Sequence, residues 1–344
     1  MAAKQTSSGP IESYPMKFYN PQFTGNQSEM IFKTTKPYSL FNRLFKWNYG
    51  FPSRVPVFEA QNKALDAGDP DTFLKNKLNE YGNKLNFPGN SELKEYEDRF
   101  ALEYKSKVIQ VYRSSDAVLY YDRDLVAPAA PQFAQSLPNE LPVEMAAENQ
   151  LTDLGFKSGN DPYARYLGVD YTVAIREAGD GSTPDVLRTE SKAMFGFVLN
   201  NLPVFGAGGK MQCSYVRNEL DLSEMFSFWR QPTEGLDGKP RVVNTKKLIG
   251  PVCALLKLAW RKQFFKIVLL HWACLRITGF QLGYYAAPPF IRQNTYIPVY
   301  RIRGTIKPRK KEAYHFSYFI SAAKFSAAEQ QAIGWPFNSG ALID

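Results

Sequence analysis

Histidine and cysteine are scarce in this chain of 344 residues, which has only His271, His315, Cys213, Cys253 and Cys274. Two histidines and no closely spaced cysteine pair are too few ligands for an ordinary zinc site, so no metal and no cofactor is expected. An odd cysteine count without paired spacing is not a disulfide framework. The thiols are expected to be reduced and mostly buried. No Ser or Cys motif supplies a nucleophile for either histidine. His271 reads as a satisfied buried or interfacial residue, and His315 adjoins a basic turn. The acid pairs Asp122/Asp124 and Glu95/Glu97 lie two residues apart and would not face each other on a helix. Gly206-Ala207-Gly208-Gly209-Lys210 resembles a phosphate loop, but Val204 stands where a first Gly is required and Met211 where Ser or Thr is required. It is expected to be a Gly-rich surface turn. No catalytic residue is assigned, and the chain reads as a non-enzyme.

Acid is missing from a long stretch. Between Asp237 and Glu312 lie 74 residues with 16 Lys or Arg and no Asp or Glu. Taking those 16 from the chain's 42 basic residues leaves 26 against 33 acidic ones, so the net positive charge resides in residues 238–311. A pI near 9.2 points to nucleic acid, an anionic membrane or an acidic partner. The N-terminus lacks the apolar core of a secretory signal and makes a poor transit peptide; a signal is expected to be absent or already removed.

Hydrophobic residues make up 44% of the chain and aromatics 15%, enough for a real core. The fold class expected is α+β and helix-rich, and no internal repeat is visible at solenoid periods. Residues 1–58 read as an extended aromatic, Pro-rich arm, with Phe18, Tyr19, Phe23, Phe41 and Trp47 as anchors on a neighbouring subunit. A short helical piece is expected near Ser39–Trp47. Residues 59–127 read as a helical region. Asp69-Pro70-Asp71 starts a first helix, with Phe73, Leu74, Leu78, Tyr81 and Leu85 at helical spacing. Ser91 is expected to cap a second, striped by Leu93, Tyr96, Phe100, Tyr104 and Val108, giving a helical hairpin. Val118–Tyr121 reads as a short strand. Residues 128–142 read as a Pro-rich linker or crossover.

Residues 143–344 read as a mixed α/β region. Helices are expected from Val143 to Leu154, Thr183 to Asn200 and Asp221 to Trp229. Strands are expected over Val169–Ile175 and Met211–Val216. A long basic amphipathic helix is expected from Leu248 to about Leu275, followed by short strands over Tyr296–Lys307. A helix from Tyr314 to Lys324 and a capping box at Ser326–Glu329 complete the expectation.

Within the acid-free stretch, Lys257, Arg261, Lys262, Lys266 and Arg276, with the turn Arg309, Lys310 and Lys311, are the expected contacts to anionic lipid or phosphate. Trp260, Trp272, Tyr284 and Tyr285 would suit a headgroup layer. The window Ile267–Ala287 has spanning length, but His271, Arg276 and Gln281 within it favour peripheral or shallow insertion. These features suggest a non-catalytic structural or accessory subunit of a membrane-associated assembly of respiratory or ATP-synthase type. Its partners would be other subunits and anionic phospholipid such as cardiolipin. An organellar membrane, for instance the mitochondrial inner membrane, is the expected location. The alternative is an RNA-binding component of a ribosomal-type particle. A third, lesser reading is an enzyme with an unrecognised site.

Overall fold

A computed structural model describes residues 54–126, 137, 139–158, 161–176, 185–217, 219–233, 241–244, 274–307 and 314–322. The arm residues Phe18, Tyr19, Phe23, Phe41 and Trp47 and the Ser39–Trp47 piece lie outside them. So do Lys257, Trp260, Arg261, Lys262, Lys266, His271, Trp272, Arg309, Lys310, Lys311 and the Ser326 capping box.

Helix formation begins where the sequence directs it. Asp69 accepts a hydrogen bond from the Thr72 amide at 3.1 Å, and Pro70 occupies the first turn. The chain before and after this point comprises β1 (Arg54–Ala60), α1 (Lys63–Asp66) and α2 (Pro70–Lys84). Four strands follow: β2 (Glu92–Glu95), β3 (Arg99–Tyr104), β4 (Lys107–Tyr112) and β5 (Val118–Asp122). Next come α3 (Arg123–Val126), α4 (Glu140–Asp153), β6 (Ala164–Arg176), β7 (Asp185–Leu199) and β8 (Leu202–Phe205). A 3₁₀ turn at Ala207–Gly209 leads into β9 (Lys210–Val216), β10 (Asp221–Ser227), β11 (Pro232–Thr233) and β12 (Arg241–Asn244). The last strands among the described residues are β13 (Cys274–Tyr285), β14 (Thr295–Lys307) and β15 (Tyr314–Ser321).

The protein is therefore dominated by strands, which overturns the helix-rich expectation. Among the described residues fifteen strands join in one sheet of order β11-β1-β14-β13-β8-β7-β9-β10-β5-β4-β3-β2, with β12 on β1, β15 on β14 and β6 on β7. The expected second helix after Ser91 is instead the antiparallel β2, β3 and β4. Leu93 and Tyr96, assigned to its apolar stripe, are exposed. The two-residue turn Lys105-Ser106 joins β3 to β4, and Lys105 takes a φ of 53° without the Gly or Asn that usually marks such a turn. The expected helix from Thr183 is β7. Its inner face is Thr189, Ser191, Ala193, Phe195 and Phe197, so small polar residues hide the period of two. In β10 a bulge between Leu222 and Glu224 shifts the alternation, so Leu222, Met225 and Phe226 mimic helical spacing. The expected helix from Tyr314 is β15. The strands expected at Val118, Val169, Met211 and Tyr296 fall within β5, β6, β9 and β14, and the helix expected at Val143 is α4.

Two parts of the chain share one plan. Helix α2 precedes the meander β2-β3-β4-β5, and α4 precedes β6-β7-β9-β10 with β8 inserted. They meet through antiparallel β5 and β10, so the strand order reads the same outward in both directions. Leu74, Leu78 and Tyr81 of α2 and Val143, Ala147 and Leu151 of α4 are buried in a single core with Phe100, Ile109, Phe195 and Met225. Gly82 lets α2 lie close to the sheet: a Cβ there would come within 2.6 Å of Leu102 Cδ2, which would have to turn aside. The β5·β10 and β1·β14 pairings run across the expected 128–142 linker, and α4 begins inside it at Glu140.

Leu78→Ala should cost about 2–5 kcal/mol in chemical denaturation, because it opens a cavity in this core. Leu141→Ala, at an exposed position on α4, should change stability by less than about 0.5 kcal/mol.

Candidate anion-binding strand face

The acid-free stretch ends in the antiparallel hairpin β13–β14; Cys274 and Leu275, at the end of the expected basic helix, are strand, and the rest of that helix lies outside the described residues. Strand β15 pairs with the other side of β14. Side chains alternate along a strand, so residues of one parity share a face. Tyr284 and Tyr296 lie on one face and join the main core. Tyr285, Ile297, Val299 and Phe319 form a second apolar cluster with Phe205 on the opposite face. Beyond Val299 the positions on that second face are Arg301, Arg303, Thr305 and Lys307. Register places Arg276 opposite Thr305 on β13 and His315 opposite Thr305 on β15. No Asp or Glu occurs in β13, β14 or β15. Arg301 and Arg303 thus occupy successive positions of this face about 7 Å apart, the Lys307 position follows after Thr305, and the Arg276 position lies on the neighbouring strand.

Arg301 and Arg303 are both half-buried. Arg301 Nε donates to Ser317 Oγ at 3.1 Å, and its guanidinium lies 5.5 Å from the Phe205 ring and 5.8 Å from the Phe319 ring. The apolar cluster therefore supports the first cation of the row. Arg303 Nε is buried without a hydrogen-bond partner. Arg99, Arg113 and Arg230 share that feature, but each is held elsewhere on its guanidinium: Arg99 by Asp98, Arg113 by Asp71 and Glu95, and Arg230 by carbonyls. For Arg303 there is no ion pair with any described residue.

Of the expected interface residues, Arg276 falls in this row. Tyr284 and Tyr285 do not serve a headgroup layer, being 0% and 2% exposed. Tyr284 donates to the Pro56 carbonyl at 2.7 Å and packs edge-on against Phe58, while Tyr285 packs against Phe319. Residues 274–285 of the expected membrane window are strand, and among the described residues no helix is long and apolar enough to cross a membrane. Arg301 and Arg303 were visible as basic positions in an alternating segment, but only the register of three strands shows their company.

The glycine turn is not a phosphate loop. Gly208 and Gly209 are buried, and a Cβ on Gly208 would lie 2.1 Å from the Ala287 carbonyl. Close backbone approach explains the glycines. Beside them, Arg230 is 2% exposed and donates to the carbonyls of Ala287, Pro288 and Ile291 at 3.1, 3.3 and 2.8 Å. Burial pulls its guanidinium below the ordinary value, with Tyr296 and Asp116 opposing. Cys213 is a buried free thiol, which burial pushes up to about 12. Asp122 accepts from the Asp124 amide, and Glu95 pairs with Lys75 and Arg113, so neither acid pair forms a carboxylate dyad.

A polar network overlooked in the sequence lies across β7, β9 and β10. Glu190 pairs with Lys192 at 3.0 Å and accepts from Thr172 and Ser223 at 2.9 Å each. Among the described residues Glu224 receives a hydrogen bond only from Gln212 Nε2, at 3.5 Å. Burial first, then Glu190, raises the Glu224 carboxyl above its ordinary value, and Lys192 opposes them. A raised folded-state value favours the protonated form. Its contribution is complete below the unfolded value, near 4.3, and is lost as pH rises through the folded value. Glu224→Gln should therefore raise the thermal midpoint at pH 7 and leave it unchanged near pH 4, as a pair of melting curves would show.

No known protein family matches the chain, and no curated protein matches it. Among solved structures it is similar to an uncharacterized protein from Eubacterium rectale, with a TM-score of 0.43 and 10% identity over 78% of this chain and 83% of that one.

Proposed function

We propose that the protein is a non-catalytic accessory subunit of a membrane-associated assembly, which meets anionic lipid headgroups through its acid-free stretch. The observation that carries this reading is the register of β13, β14 and β15, which gathers Arg276, Arg301, Arg303 and Lys307 on one face without a carboxylate on those strands. A basic row of this kind attracts a negative surface at about 1 kcal/mol per cation, within a Debye length. Lipid is favoured over RNA because the rings beside the row, Phe205 and Phe319, are buried in an apolar cluster and cannot stack on bases. Lys257, Arg261, Lys262 and Lys266 would add to the same attraction. The aromatic arm would hold neighbouring subunits. A respiratory or ATP-synthase-type complex of an organellar membrane such as the mitochondrial inner membrane, rich in cardiolipin, is the proposed setting.

Flotation of the full chain with vesicles tests this reading. Vesicles of phosphatidylcholine with cardiolipin should carry the protein upward, and phosphatidylcholine alone should not. Changing Arg301, Arg303 and Lys307 together to Glu should weaken binding by about 100-fold or more, from three cations at about 1 kcal/mol each. Equal flotation with neutral vesicles would sink the reading, as would a native particle that collapses with nuclease. Circular dichroism of the variant separates lost binding from lost fold.

A further inference from the structure

We infer that Arg303 is the seat of a single phosphate group within this face, recognised by its fork of donors and not by charge alone. This rests on the reading that the acid-free stretch meets an anionic partner.

Three observations converge on the position. The first is the orphaned donor. Arg303 Nε is buried without an acceptor, an arrangement that costs stability in a protein that satisfies nearly all its buried polar atoms. A tetrahedral oxyanion lying side-on to a guanidinium accepts from Nε and one Nη together, which satisfies that donor and gives the bidentate geometry that phosphate favours. The second is the small size of its partners in register. The cross-strand neighbours of Arg303 are Gly279 on β13 and Ser317 on β15, one with no side chain and the other among the smallest. A β-bulge between Ile277 and Gly279 interrupts the ladder beside it. Bulges recur where a sheet is adapted to a site. The third is the surrounding donors and field. Ser317 Oγ already accepts from Arg301 Nε, so its own hydroxyl proton is directed elsewhere and is free to reach a phosphate oxygen. Arg301, Lys307 and Arg276 flank the position in register.

The chemistry recognised is a phosphate with at least two unshared oxygens, whether a phosphomonoester lipid headgroup such as phosphatidate or free inorganic phosphate. The full chain is titrated with inorganic phosphate by calorimetry, and in parallel floated with phosphatidylcholine vesicles with and without phosphatidate. The variants are Arg303→Lys, which keeps the charge and loses the fork, Arg303→Met, which loses both, and Arg292→Met, an exposed cation beyond the hairpin's other end. Saturable phosphate binding weakened at least 10-fold by Arg303→Lys, and unaffected by Arg292→Met, supports the seat. If phosphate also competes the protein off phosphatidate vesicles, the occupant is the lipid headgroup. If it binds phosphate without floating, the occupant is a free phosphate, and the membrane reading fails while the seat stands. Phosphate binding by Arg303→Lys equal to that of the unaltered chain overturns the seat and leaves a general basic face. An absence of binding to phosphate and vesicles alike overturns both. Arg303→Met should melt no lower than the unaltered chain, since it removes an unsatisfied buried donor, so a loss of binding is not mistaken for unfolding.

Discussion

The sheet depends on one close approach of backbone to backbone. Residues 203–209 run against residues 283–287, and β8 pairs there with β13 on one side and β7 on the other. Almost no side-chain volume fits between them. A Cβ on Gly283 would lie 2.3 Å from the Pro203 carbonyl, and one on Gly206 would lie 2.4 Å from that of Ala286. The buried Arg230 guanidinium donates to the Ala287, Pro288 and Ile291 carbonyls of the turn after β13, and Gln293 bonds the Ala287 amide and the Tyr285 and Thr295 carbonyls. A charge so deeply buried is tolerated because acceptors surround it. Without this junction the hairpin that carries the basic row would have no fixed relation to the two-helix body through β8.

That body is built twice on the same plan, yet the two copies differ in strand length and in the insertion of β8. Four-residue β2 corresponds to thirteen-residue β6 in the meander order. Length differences of this kind erase any fixed sequence period, which is why the duplication appears in topology and not in residue spacing. The shared core of α2 and α4 then requires that both helices lie on one face of the sheet, leaving the other to the polar network around Glu190.

What was legible in the residues follows from how local each signal is. The Asp69-Pro70 start and the α4 stripe of Val143, Ala147 and Leu151 depend on neighbours within one or two turns. Strands β5, β6, β9 and β14 show β-branched or aromatic residues in alternation. Strand β7 does not, because Thr189 and Ser191 occupy inner positions and Ser-Lys-Ala-Met is good helix material. Strand β10 was disguised by its bulge, and β3–β4 by a turn with Lys105 where Gly would be expected. The basic row was half legible. Its composition was plain, but its assembly depends on pairing between residues 276, 303 and 317, which no local window contains. Tyr284 and Tyr285 carried the opposite error: an aromatic pair looks like an interface until both rings prove to be buried, one on each side of the strand.

The edge strand β6 has a consequence for how this protein behaves in concentrated solution. Among the described residues it pairs only with β7, so thirteen residues present a second row of amides and carbonyls. A straight edge of that length is a template for intermolecular strand addition and fibril growth. Register shifts between Tyr166 and Gly168 and again between Thr172 and Val173 break it into short pieces that twist differently. An incoming strand can match one piece but not the next. The irregularities that obscure the strand's pattern are thus the same ones that work against strand addition along this edge.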